Sequence, residues 1–154
     1  MKKVSTYFSP KDKVARVLIG FINRCETTID AAIYCITHDG IVNALIRASE
    51  RGVRIRIITD RTQAAGKWSD DERLEEAKIP IMRGGTAFRG SMHNKFIVGD
   101  GAAVGTGSFN WTKSANLRND ENFVIIRVQY TVKEYQQEFD RLWKRHTSKK
   151  IKNK

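Results

Sequence analysis

Apolar positions along the chain switch repeatedly between a two-residue and a helical period. "VSTYF" alternates and predicts a first strand. Ser9-Pro10 then reads as a helix N-cap followed by proline in the first turn. Val14, Val17, Leu18, Phe21, Ile22 and Cys25 follow at helical spacing. The run "TTIDAAIYCIT" is almost wholly apolar, as in a strand buried on both faces. Ile41, Ala44, Leu45 and Ala48 mark a second helix ending near Gly52. "VRIRIITD" predicts a strand with Arg54 and Arg56 on one face and Val53, Ile55 and Ile57 on the other. A short acidic-ended helix "SDDERLEEAK", a short strand "IPIMR" and a glycine-rich loop "GGTAFRGS" come next. After "MHNKFIVGDGAAVGTGSFNWT" stands a strand, "ENFVIIRV". A last helix is predicted from Thr131, with Glu134 placed for a capping box and Val132, Tyr135, Phe139, Leu142 and Trp143 as its inner stripe. Strands alternating with helices predict an α/β fold with a central mixed β-sheet flanked by helices on both faces.

The stretch Met92 to Thr112 reads as a β-hairpin around Asp100-Gly101. A two-residue loop would pair Gly99 with Ala102, Lys95 with Thr106 and His93 with Ser108. His93 and Lys95, two apart, share a face with Cβ atoms roughly 7 Å apart. Ser108 and Asn110 would join them. A hairpin has no need of such a cluster. An imidazole can act as nucleophile, base or acid near neutral pH, while ammonium, amide and hydroxyl groups donate to an anion. The set suits a phosphate, with Lys95, Asn110 and Ser108 holding oxygens and His93 attacking phosphorus. Gly105 and Gly107 allow close backbone approach. Either His93 or Lys95 alone would pass for an ordinary structural or surface residue; together they would not.

Charge changes the picture further. The chain has 154 residues, enough for one domain, and a net charge of +11 from 28 Lys/Arg against 17 acids. The basic ending "KRHTSKKIKNK" holds six of these cations and no acid, and the rest of the chain keeps +5. Residues 1–146 are therefore read as the catalytic domain and 147–154 as a basic C-terminal tail. A basic surface favours polyanions, either nucleic acid or anionic lipid. The start has no apolar run after its lysines, and no segment approaches the ~18 apolar residues of a spanning helix. The expectation is a cytoplasmic protein without integral membrane association. Cys25 and Cys35 fall in apolar patterns and read as buried free thiols. No metal site and no cofactor are expected, because the hairpin holds no cluster of carboxylates.

"HNKFIVGD" followed by "GTGSFNWT" resembles the phospholipase D superfamily motif, H-x-K-x4-D then G-S-x-N. "TTIDAAIYCIT", "IVNALIRASERGVRIRIITD" and "NDENFVII" resemble the small single-motif bacterial endonucleases of the Nuc type, and more distantly mitochondrial cardiolipin hydrolase/Zucchini proteins. The resemblance implies the phospholipase D-like α/β/α sandwich. It implies two copies of the motif per site, hence a homodimer, because this chain carries one motif and no repeat. One His93 would form a phosphohistidine and the other would protonate the leaving oxygen, with Lys95 and Asn110 of both subunits stabilising the phosphoryl oxygens. By the same resemblance Glu121 is the acid that would hydrogen-bond the His93 ring and fix its tautomer.

Asp100, roughly 23 Å along the strand from His93, is read as a structural turn residue, and Gly107 as support for the motif. Trp111 either stacks a substrate base or packs beneath the site. Arg83 and Arg89 flank the glycine-rich loop as phosphate contacts or as solvated charges. His38 reads as a helix-start residue and His146 as a continuation of the last helical stripe. The favoured function is a metal-independent, non-specific endonuclease acting on DNA and/or RNA. The alternatives are a phospholipase D or cardiolipin hydrolase acting on anionic phospholipid, and a catalytically idle nucleic-acid-binding module.

Overall fold

The alternating periods become strands β1 (Val4–Ser9), β2 (Thr28–Ile33), β3 (Arg54–Asp60), β4 (Ile81–Gly84), β5 (Lys95–Gly99), β6 (Ala103–Gly107) and β7 (Glu121–Ile126). Helices α1 (Val14–Arg24), α2 (Asp39–Glu50), α3 (Arg61–Ala64), α4 (Asp71–Glu76), α5 (Lys113–Leu117) and α6 (Gln129–Lys152) lie between and after them. This computed structural model describes residues 2–85 and 90–152, with side chains described through Thr147.

The strands form one sheet in the order β1-β7-β6-β5-β2-β3-β4. β2, β3 and β4 run parallel, whereas β5 is antiparallel to β2 and β6, and β7 to β6 and β1. The sheet is therefore mixed, as the pattern predicts. β2 sits inside it, and every residue from Ile29 to Ile33 is buried, in keeping with its nearly unbroken apolar run.

Strand alternation feeds two cores. Ile29, Ala31, Ile33, Ile55, Ile57 and Ile97 face the larger one, with Leu18 and Ile22 of α1 and Ile41 and Leu45 of α2. Ala32, Ile58, Phe96, Val98 and Val104 face the smaller one, under Val132, Phe139 and Leu142 of α6. Tyr135 and Trp143 flank that second core, completing the predicted stripe. Asp30, almost fully buried on this side, accepts from Arg56 Nε at 2.8 Å and Nη2 at 2.7 Å and from Gln136 Nε2 at 2.8 Å. Arg56 also reaches Asp140 at 2.9 Å. A buried carboxylate is tolerable only when paired and hydrogen-bonded in this way. The network ties α6 to β2 and β3.

Three predicted boundaries move. Ser9 ends β1 instead of capping α1, because its Oγ donates to the carbonyl of Ala115 at 2.7 Å. α1 starts only at Val14, after Lys13 in a left-handed conformation (φ 49°). α6 begins at Gln129, so Thr131 already lies inside the helix and cannot cap it. The hairpin loop has three residues, with Gly99 opposite Ala103 and Phe96 opposite Thr106. Asp100 and Gly101 both take positive φ (53° and 60°), which turns the chain before Ala103. This slips the predicted register by one residue.

At its other end α6 carries the backbone of the basic C-terminal residues through Lys152. Both cysteines are free, Cys25 buried and Cys35 half-buried. Burial pushes the Cys25 thiol up to about 12, so it stays protonated. Among the described residues, no helix is long and apolar enough to cross a membrane.

Candidate active site

One end of the sheet gathers the polar residues of the hairpin. Ile33 pairs with Lys95, so the carboxyl end of β2 meets the start of β5. Gly107 pairs with Phe123, so β6 ends where β7 begins. β3 ends beside them at Asp60. Asp60 Oδ1 accepts from the N–H groups of Thr62 and Gln63, capping α3, while Oδ2 accepts from Met92 N at 2.9 Å. This buried carboxylate fixes the backbone next to His93.

His93 itself is exposed. Lys95 Nζ lies 3.2 Å from His93 Nδ1 and 3.4 Å from Nε2, and donates to the His93 carbonyl at 2.9 Å. An ammonium can donate only to an unprotonated ring nitrogen, which is also the nucleophilic form of imidazole. Tyr34, just past β2, packs its ring 4.6 Å from that of His93. Lys95 Nζ sits 5.2 Å from the same Tyr34 ring. Gln63 Nε2 donates to the Tyr34 hydroxyl at 3.0 Å. Desolvation pushes the Lys95 ammonium below the ordinary lysine value, and the Glu121 charge acts in the opposite direction. The pair therefore presents an exposed imidazole beside a partly desolvated cation.

Ser108 and Glu121 form a second cluster next to it. Ser108 Oγ donates to Glu121 Oε2 in a short hydrogen bond and accepts from Asn122 N at 3.1 Å. Asn119 Nδ2 donates to the other Glu121 oxygen at 3.0 Å. Gly107 makes the approach possible. Its φ is 152°, and a Cβ there would collide with the carbonyl oxygen of Asn122.

The expected bond between Glu121 and the His93 ring does not form, because Ser108 and Asn119 occupy the carboxylate. For the same reason the Ser108 hydroxyl is engaged within the protein and is not held ready for a substrate. Trp111 is only 1% exposed and packs in the larger core, so it presents no face on which a base could stack. Its backbone continues the sheet end: Trp111 N donates to Cys35 O, and Thr37 N to Trp111 O.

Asn110, between buried Phe109 and Trp111, has its Oδ1 buried without a partner among the described residues. No hydrogen bond joins its side chain to the His93–Lys95 pair. Asp100 sits at the opposite end of β5, where its carboxylate accepts from the backbone of Glu26, Thr27 and Thr28. Arg83 is held by Glu75 at 2.9 Å, and Arg89 lies outside the described residues. His38 stands at the N-cap of α2, and His146 lines a cleft that also contains His93.

Tyr34, Asp60 and Gln63 were not singled out from the sequence. Tyr34 hides in an apolar run, where its ring reads as core. Asp60 had one signal, an acid ending a strand just before a polar stretch. Among the described residues, no group of three or more His, Cys, Asp or Glu side chains gathers in a way that could hold a metal ion.

Comparison with known proteins bears on this arrangement. Residues 18–143 match the family described as cardiolipin synthase, PLD-like domain. The chain is 34% identical over 125 residues to a mitochondrial cardiolipin hydrolase of Chlamydomonas reinhardtii, covering 81% of this chain and 55% of that protein. It is 38% identical over 135 residues to a phospholipase D of Rickettsia felis, covering 88% of this chain and 66% of the relative. The chain thus spans just over half to about two-thirds of the length of these curated relatives. Among solved structures, the phospholipase D family member Nuc of Salmonella typhimurium superposes with a TM-score of 0.83 at 28% identity, covering 92% of this chain and 93% of that one. A matched domain over most of the chain, together with the shared mixed-sheet fold, makes this chain a member of the phospholipase D superfamily of phosphodiesterases.

Proposed function

We propose that this protein is a non-specific endonuclease that hydrolyses DNA and/or RNA without a metal ion, at a site completed by a second copy of the chain. His93 attacks phosphorus, a P–N bond forms, and the P–O bond to the leaving strand breaks. The corresponding histidine of the second copy gives its proton to the departing oxygen. It then takes one from water, which attacks the phosphohistidine and frees the phosphate end. Lys95 and Asn110 donate to the phosphoryl oxygens as charge builds on them.

The observation that carries this reading is the exposed His93 ring held against Lys95 Nζ on an open sheet end. The net charge of +11 supports a polyanionic substrate. A single motif without an internal repeat supports two copies per site. Supercoiled plasmid, a single-stranded oligonucleotide and cardiolipin vesicles, each incubated with the protein in excess chelator, test it. Cleavage of nucleic acid alone is expected. Lipid headgroup release alone would establish the alternative that the names of the curated relatives support, a phospholipid hydrolase. Binding without turnover would leave only a nucleic-acid-binding module. An active monomer in light scattering would remove the shared site.

A further inference from the structure

α6 builds one wall of the cleft beside His93. His93 lines a cleft of about 130 Å³ together with Ser91 and Asn94 and, from α6, Glu138, Arg141 and Arg145. The spacing of 138, 141 and 145 puts all three on one helical face. Their charges are not equivalent. Arg141 donates to both oxygens of Glu138 at 2.7 Å, a bidentate pair. That hydrogen bond holds the Glu138 carboxyl below its ordinary value, so the two charges cancel locally. Arg145 makes no hydrogen bond or ion pair among the described residues, and is exposed on the cleft wall. Its charge also acts on Glu138, so the two arginines and one carboxylate together leave one net positive charge on this wall.

The helix that carries Arg145 is anchored. One turn earlier, Leu142 and Phe139 are buried in the smaller core, and Asp140 and Gln136 anchor the helix to Arg56 and Asp30. A guanidinium on an anchored helix, facing the same cleft as the nucleophile, suits a second oxyanion adjoining the one under attack. We propose that Arg145 holds a neighbouring phosphate of the substrate strand, so that the site selects a chain of phosphodiesters over an isolated one. This rests on the nuclease reading above.

The test compares Arg145→Ala with wild type on a single-stranded oligonucleotide, on bis(4-nitrophenyl) phosphate, which has one phosphate, and on cardiolipin vesicles. For the oligonucleotide, KM is expected to rise roughly tenfold with kcat near wild type, the loss of one charge-assisted contact. The slope of log(kcat/KM) against log[salt] should flatten by about one phosphate contact. Hydrolysis of the single diester should not change. Arg145→Lys should recover part of the loss, because charge returns without the planar fork. Equal losses on both diesters, or unchanged oligonucleotide cleavage, overturn the role of Arg145 alone. A loss confined to cardiolipin assigns Arg145 to a lipid and overturns it too. Wild-type hydrolysis of the small diester with no cleavage of the oligonucleotide overturns the nuclease reading and this inference with it.

Discussion

The two ends of β5 carry residues of the same short motif in opposite conditions. At one end Lys95 is partly desolvated and leans on an exposed imidazole, and its carboxylate neighbour is taken up by Ser108 and Asn119. At the other end Asp100 accepts from four donors: the backbone N–H groups of Glu26, Thr27 and Thr28 and the Thr27 hydroxyl. Five residues of strand separate Lys95 from Asp100 by about 17 Å, too far for one small anion to touch both. A motif in sequence is therefore not a cluster in space. One end is left open for chemistry, and the other joins the hairpin to the start of β2.

The sharpest way to break this contrast is to alter each end and measure rate and stability separately. His93→Ala should lower kcat by about 10³-fold or more, since on the proposed mechanism both the nucleophile and its proton-transfer counterpart are lost. The ring is exposed, so the unfolding free energy should stay within about 0.5 kcal/mol of wild type. Lys95→Ala should cost about 10²–10³-fold in kcat through lost charge stabilisation, again with the fold intact by circular dichroism. Turnover at wild-type level in either variant would remove the site from this end of the strand.

Asp100→Ala should do the reverse. Removing an acceptor shared by four donors is expected to cost about 1–3 kcal/mol of stability, read from urea unfolding, while the folded fraction keeps its kcat. Partial burial pushes the Asp100 carboxyl up, but the N–H groups of Thr28, Thr27 and Glu26 together hold it below the ordinary carboxylate value. A depressed carboxyl contributes stability that is present above its ordinary pKa and lost as pH falls through its folded one. The variant's stability should accordingly fall less steeply on acidification than that of wild type. A collapse of kcat with an unchanged midpoint would place Asp100 in the reaction.

Much of this contrast was legible before any coordinates. Apolar alternation fixed the strands, and helical spacing the stripe of α6 from Val132 to Trp143. The errors have local causes. The Asp-Gly signal marks a turn but does not count its residues, so a three-residue loop shifted the pairing of Lys95 by one. Ser9 has the chemistry of a cap, yet the carbonyl of Ala115, more than a hundred positions away, takes its hydroxyl. Trp111 was open to either role because sequence does not distinguish an aromatic that covers a site from one that lies beneath it. α3 and α5 are too short to show a period; Asp60 and Thr112 define them by capping. Of the site, His93 and Lys95 were found as a pair because they stand two apart in the sequence, although His93 itself precedes β5. Tyr34 was missed because it belongs to a different strand end, and only the antiparallel β2–β5 pairing brings it to them.

The finest test lies within the open end. Glu121 is close enough for its charge to raise the Lys95 pKa, partly offsetting the larger lowering by desolvation. Glu121→Gln keeps an acceptor for Asn119 and Ser108 but deletes that charge. Lys95 should then lose its proton at lower pH than in wild type, because nothing opposes desolvation. The Lys95 ammonium, followed by 15N NMR, should titrate at lower pH in Glu121→Gln than in wild type. Lys95→Arg identifies that signal, since a guanidinium stays charged across the range. The titration should be missing from Lys95→Arg whether or not Glu121 is present. An unmoved titration in Glu121→Gln would mean that the acid acts only by holding Ser108, and that the cation at this end of β5 is tuned by burial alone.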